Sequence, residues 1–188
     1  MYEVISISEE LLVRCCAPTL ASLKTGSLFT CRAPSRKALH DSIRSVNRRL
    51  GRKGLRVIPL RYNNGVGLVY VFRPSQLSKD LTHQTSCRLL SDRGYCCENA
   101  SKCIMRLIAR LNQQQEFPHE IGLFLGYPPE DVDGFINRRD ECKSCGRWKV
   151  YGDVDRAERT FAKYKKCTDV YLKHLAKGSR IEKLTVAV

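Results

Sequence analysis

The chain has 188 residues, 43% hydrophobic and 28% charged, with 33 Lys and Arg against 19 Asp and Glu for a net charge of +14. That length and apolar content suit one globular domain over residues 1–188 with a sizeable core, and they exclude a disordered chain. No apolar run approaches the roughly 18 residues that span a bilayer. Met1–Glu10 carries neither a basic n-region nor an apolar h-region, so a cytoplasmic protein with no membrane partner is expected.

In chain order, Ser8 caps a helix with acids in its first turn, and Pro18 is expected to end or redirect it. Ser27–Cys31 reads as a strand. Ser35 then caps an amphipathic helix with Leu39, Ile43, Val46 and Leu50 at i, i+4, i+7 and i+11, stopped by Gly51 or Gly54. Leu55–Arg61 and Val66–Phe72 form two strands, and Asn63-Asn64-Gly65 supplies the tight hairpin between them. Pro59 places the first near a sheet edge, and the second is apolar on both faces.

From Ser75 the periodicity turns helical. Leu77 and Leu81 mark one helix, Leu89 and Leu90 another, and Ser101 opens a longer one carrying Ile104, Leu107, Ile108 and Leu111. Short helices over 119–125 and Pro129–Asn137 flank Gly126. Trp148–Tyr151 reads as a strand, and a last helix over 153–175 turns Val154, Ala157, Phe161, Tyr164 and Tyr171 inward. The expected class is α/β or α+β, a small sheet with a β-hairpin packed by several helices.

Charge is concentrated. From Arg32 to Arg61 ten basic residues, among them Arg44, Arg48, Arg49 and Arg52, stand against the single acid Asp41. Such a face attracts nucleic acid, a phosphate-bearing cofactor or an acidic protein. Gly122, Gly126 and Val132 fall at helix-turn-helix spacing, but Glu130, Asp131 and Asp133 on the second helix would repel a phosphate-walled groove. A helical corner therefore fits better than a DNA reader.

Ten cysteines in a reducing compartment are expected to be thiols, metal ligands or catalysts, with a plain buried thiol the commonest role. Cys15-Cys16 and Cys96-Cys97 are vicinal pairs. Cys142-Lys-Ser-Cys145 is half of a zinc ribbon, which Cys167, His119, His174 or Cys16 would have to complete, and an iron–sulfur cluster or iron-bearing cofactor would meet the same shortfall. Thiol chemistry points to Cys145 among Lys143, Arg147 and Lys149, to Cys167 after Lys165-Lys166, and to Cys16 before the turn Ala17-Pro18-Thr19. A nucleophile needs a base, and His119-Glu120 is the neighbouring His–carboxylate pair of note, although adjacent helical residues diverge. No phosphate loop of the GxxxxGK[ST] or GxGxxG type occurs. Trp148 and Tyr151 fit a core better than a cofactor stack, while Tyr127 beside Pro128 suits a pocket mouth.

Cys16-Ala-Pro-Thr-Leu20 with Lys24, the stretch Phe117–Val132, Cys145-Gly-Arg-Trp-Lys-Val-Tyr151, Lys166-Cys167 and Leu184-Thr-Val186 together resemble a bacterial family catalogued as domain of unknown function three-seven-nine-three. The likeness spans almost the whole chain. It departs at Arg147, where family members usually carry tyrosine, and Cys142 lies outside the family pattern. The resemblance implies a role in iron- and flavodoxin-linked metabolism, with an acidic flavodoxin as a partner for the cationic face. The reading that follows is a cysteine-containing protein that binds a cofactor, metal or redox partner. Cys16, Cys145, Cys167 and His119 are the ligand candidates, with an iron-containing cofactor or zinc as the group. Lys24, Tyr127 and Trp148 are cofactor contacts, and Arg44, Arg48, Arg49 and Arg52 are partner contacts. The alternatives are a nucleic-acid-binding regulator using residues 32–61 and an enzyme with Cys16 or Cys145 as nucleophile beside His119 and Glu120.

Overall fold

Two serines set the first helices in place. In the computed structural model, which describes residues 7–113 and 117–187, Ser8 Oγ accepts the Leu11 N–H at 3.1 Å and Ser35 Oγ accepts that of Ala38 at 3.1 Å. Each satisfies a donor that a first helical turn leaves without an internal partner. They start α1 (Glu9–Leu20) and α2 (Arg36–Leu50). Most of the segment used to exclude a leader, residues 1–6, lies outside the described residues.

Pro18 does not end α1, which runs on to Leu20. Proline removes one N–H and its bond to the carbonyl four residues back. With only two helical residues left the loss is small, and Ala21 N–H still closes the end on Ala17 O at 2.9 Å.

The chain divides into two compact units, Met1–Pro74 with Lys166–Val188, and Ser75–Lys165. In the first, β1 (Gly26–Arg32), β2 (Arg56–Asn63) and β3 (Val66–Phe72) form an antiparallel sheet of order β1-β3-β2. The hairpin turns at Asn64 (φ 47°) and Gly65 (φ 77°), as the Asn-Gly pair demands. The apolar β3 is central, and β2 is an edge strand whose register shifts between Pro59 and Arg61. Leu39, Ile43, Val46 and Leu50 of α2 share a core with Leu12, Val13, Cys16 and Leu20 of α1 and with Phe29, Val57, Val69 and Val71 of the sheet. Each fully buried aliphatic side chain there contributes about 1.5–3 kcal/mol.

Arg73, just past β3, is fully buried. It donates to Thr19 O at 2.7 Å, Leu20 O at 2.7 Å, Val186 O at 2.8 Å and Lys53 O at 3.1 Å. Two of these acceptors belong to the last turn of α1, where carbonyls lack helical partners and the dipole favours a cation. The guanidinium thereby closes a helix end and clasps residues just past α9 (Ile181–Leu184).

The second unit holds α3 (Pro74–Thr82), α4 (Gln84–Ser91), α5 (Ala100–Gln113), α6 (Ile121–Phe124) and α7 (Pro129–Asn137). A small hairpin of β4 (Ser144–Cys145) and β5 (Lys149–Val150) follows, then the first half of α8 (Val154–Ala176). The class is mixed, helices around small antiparallel sheets, as expected. The strand expected over Trp148–Tyr151 is only the pair Lys149–Val150, and along α8 Ala157 and Tyr164 alone of the expected stripe are fully buried. Among the described residues no helix is long and apolar enough to cross a membrane.

Candidate functional site

The most built part of the second unit is the corner between α6 and α7. Gly126 (φ 73°) turns the chain out of α6, a conformation that costs a side-chain-bearing residue about 1 kcal/mol or more. Tyr127 N–H then bonds back to Gly122 O at 3.0 Å, and Pro129 enters α7 at its first position, where no amide bond is lost. A Cβ on Gly122 would stand 2.8 Å from Val132 Cγ2 and 3.2 Å from Tyr127 Cδ2, so only glycine lets the corner close. The helix-turn-helix spacing of Gly122, Gly126 and Val132 thus marks a packing corner, with only a four-residue α6 ahead of it.

Asp131, in the first turn of α7, is 3% exposed. Its Oδ1 accepts the N–H groups of Tyr151 at 2.7 Å and Gly152 at 2.8 Å, and its Oδ2 accepts Trp148 Nε1–H at 2.7 Å. One carboxylate therefore joins α7 to both β5 and the indole, by charge-assisted bonds roughly twice as strong as neutral ones. Gly134, one helical turn on, lets Tyr151 lie against α7, since a Cβ there would overlap the tyrosine ring.

These contacts frame a cavity of about 290 Å³. Tyr127 and Trp148 stack with ring centroids 4.7 Å apart, and Phe161 meets Trp148 edge-on at 4.5 Å. On the other wall His119 sits edge-on to Phe135 at 4.9 Å. Arg147 and Lys149, both exposed, bring positive charge to the lining, with Lys149 Nζ 5.6 Å from the Phe135 centroid. Burial pushes the Tyr127 phenol up, with Arg147 partly opposing it, so its hydroxyl stays protonated at neutral pH.

His119 and Glu120 part company, as neighbours on a turn must. Arg139 Nη2 lies 2.9 Å from His119 Nε2. A guanidinium can only donate, so Nε2 is the acceptor in this contact. Glu120, 2% exposed, is held by Tyr95, whose hydroxyl donates at 2.8 Å, and by Arg110 Nε at 2.7 Å, with Arg93 Nε at 4.0 Å. Burial and the Glu120 charge both push the Tyr95 phenol up. Glu120 is thus occupied in a buried ion-pair cluster rather than paired with His119 as a base.

Cys16 is fully buried inside the last two turns of α1, at the helix's negative end rather than ahead of a positive one. Burial drives its thiol pKa far up, and the opposing charge of Lys24, in the loop after α1, is the weaker effect. Cys167 packs half-buried against the same core, its thiol also raised by burial. Cys145 is exposed on β4 in the other unit, and Cys142 donates its S–H to Ser144 O at 3.1 Å. Among the described residues no group of three or more His, Cys, Asp or Glu is arranged to hold a metal ion. Cys16 and Cys167 belong to the first unit, and Cys145 and His119 to the second.

Of the basic candidates, Arg49 is taken up inside its own unit by Glu9 and by Glu182 at 2.5 Å, and Arg44 makes a loose surface pair with Asp41 at 3.2 Å. Arg48 and Arg52 are exposed. The expected cofactor contacts Tyr127 and Trp148 come together, with the ligand candidate His119 on the same lining, whereas Lys24 belongs to the other unit. Sequence reasoning missed Asp131 and Phe135 as site residues. The sequence presents Asp131 only as one of three carboxylates that would repel a phosphate-walled groove.

No curated protein and no solved structure matches the chain. A family model does match, over residues 12–185. The chain belongs to the family described as protein of unknown function DUF3793.

Proposed function

We propose that the cavity at the α6–α7 corner binds a planar aromatic small molecule bearing an acidic group, and that the protein is a cofactor- or metabolite-binding protein. The observation that carries this is the stacked Tyr127–Trp148 pair beside the exposed cations Arg147 and Lys149. Aromatic faces favour a flat ring, and two cations favour a phosphate or carboxylate on it. The one carboxylate present, Asp131, already holds three N–H groups and does not repel such a ligand. At about 290 Å³ the cavity is at the small end for ligand sites, so it suits one ring system rather than a dinucleotide. A flavin- or nucleotide-type ligand also suits the iron- and flavodoxin-linked setting that the family likeness implies.

The test uses Trp148, the single tryptophan of the chain, as the reporter. Titration with flavin mononucleotide and with adenosine monophosphate should give a saturable fluorescence change for at least one of them. Loss of both cations in Arg147→Ala with Lys149→Ala should weaken that binding by more than about tenfold, the equivalent of one charge-assisted contact. No saturable response, or an unchanged affinity in the double variant, sinks the reading.

The acidic-partner reading has separate support in the exposed Arg48 and Arg52 of the basic segment. If it holds, binding of an acidic flavodoxin weakens steeply with salt and with Arg48→Glu. Salt-sensitive retention of DNA or RNA with no flavodoxin binding would instead favour the nucleic-acid reading.

A further inference from the structure

Four cysteines outside the cavity lie close to one another in the Ser75–Lys165 unit. Cys87 is half-buried on α4, Cys96 is exposed and Cys97 is 5% exposed in the segment that follows, and Cys103 is fully buried on α5. The segment after α4 folds back so that Cys97 Sγ lies 3.1 Å from the backbone oxygen of Cys87. Ser91 Oγ stands between the two thiols, 3.3 Å from Cys97 Sγ and 4.0 Å from Cys87 Sγ. Burial, and after it the neighbouring Cys87 side chain, push the Cys97 thiol pKa up. Cys103 is turned aside, donating its S–H to Cys96 O at 3.0 Å.

We propose that Cys87 and Cys97 form a dithiol that a peroxide converts to a reversible intramolecular disulfide. A metal would need three or four converging donors, and among the described residues no such group is arranged. A disulfide needs only two sulfurs, and Cys97 Sγ already lies 3.1 Å from the backbone oxygen of Cys87 while Ser91 Oγ touches both sulfurs. Cys87 is the accessible partner and takes the first attack, while Cys97, whose thiol burial disfavours as a thiolate, resolves it.

The Cys87 sulfur attacks one peroxide oxygen, the O–O bond breaks, and the second oxygen leaves as water after taking the thiol proton. The product is a sulfenic acid on Cys87. The Cys97 sulfur then attacks the Cys87 sulfur, and the sulfenic hydroxyl departs with the Cys97 proton as a second water. Two thiols are oxidised to one disulfide and the peroxide is reduced to two waters. Ser91 Oγ, in contact with both sulfurs, can carry a proton between them.

The test treats the full chain with stoichiometric hydrogen peroxide, blocks free thiols and maps peptides without reduction. A peptide linked through Cys87 and Cys97, abolished by dithiothreitol, is expected. Cys97→Ser should remove the link and leave Cys87 as a trapped sulfenic acid, and Cys96→Ser should leave the link intact. If Cys97→Ser does not fold, Cys87→Ser at its half-buried position carries the same test, with Cys97 remaining alkylatable. The proposal is overturned if both thiols stay alkylatable, if the link contains Cys96, or if Cys87 proceeds to the sulfinic acid with Cys97 free.

Discussion

Asp131→Asn separates the role of a charge from that of a shape. The amide can keep one oxygen facing the Tyr151 and Gly152 N–H groups, which lie 2.7 and 2.8 Å away. Its NH2 must then face Trp148 Nε1–H, a donor meeting a donor where a 2.7 Å bond stood. Losing that charge-assisted bond costs about 1.5–3 kcal/mol. The two retained bonds weaken toward neutral strength. Together these predict a loss of about 3 kcal/mol, a large part of the roughly 5–15 kcal/mol that holds a typical domain. Urea unfolding followed by Trp148 emission reads both consequences, since no other tryptophan contributes. The midpoint should fall at constant slope, and the native emission should change because the indole has lost its anchor. Ligand binding should weaken with it. A loss below about 1 kcal/mol with unchanged emission would show that Asp131 does not hold the wall of the cavity.

Four other changes probe the same physics. Gly134→Ala places a methyl on the Tyr151 ring and should cost about 1–3 kcal/mol by overpacking, read as a lowered thermal midpoint. Arg73→Met strands the buried carbonyls of Thr19 and Leu20 at about 1–3 kcal/mol each, so chemical denaturation should show a loss of about 4 kcal/mol that Arg73→Lys partly restores. Glu120→Ala leaves Arg110 without its carboxylate partner and should cost about 3–5 kcal/mol in the same assay, with the cavity's ligand affinity preserved in the folded fraction. Burial pushes Tyr164 up from the ordinary 10.0 to about 12, so the folded state favours the protonated phenol. Its stabilisation is complete below pH 10 and disappears as pH rises toward 12, and Tyr164→Phe should flatten that part of the stability curve.

The local architecture was readable wherever one physical rule acted alone. Ser35 with Leu39, Ile43, Val46 and Leu50 specifies α2 by a cap and one helical face. Asn64-Gly65 specifies the hairpin by positive φ, and Pro59 the edge strand by its missing donor. Reading failed where two rules competed. Pro18 signals a break, yet so close to the helix end there is almost nothing left to break. The site was half legible. Tyr127 and Trp148 stood out as aromatics beside turn residues, but what brings them together is Asp131, and a carboxylate's long-range partners leave no periodic trace. For Cys16 the sequence suggested a turn ahead of a helix start, whereas the residue lies buried inside α1 and burial, a tertiary property, pushes its thiol pKa up. Cys87 and Cys97 carried no such local flag, and only the return of the chain after α4 brings them into contact.

The order in which the molecule can be completed follows from Arg73 and its acceptors. One of the carbonyls it holds, that of Val186, comes 113 residues after Arg73, and Glu9 waits likewise for the Ile181 amide at 3.1 Å. During vectorial synthesis residues 75–165 are all joined before the last pieces of the outer unit are added. Chains truncated after Lys165 should therefore yield a protease-resistant insert whose flanking N-terminal segment is still digestible, and restoring residues 166–188 should render that segment resistant.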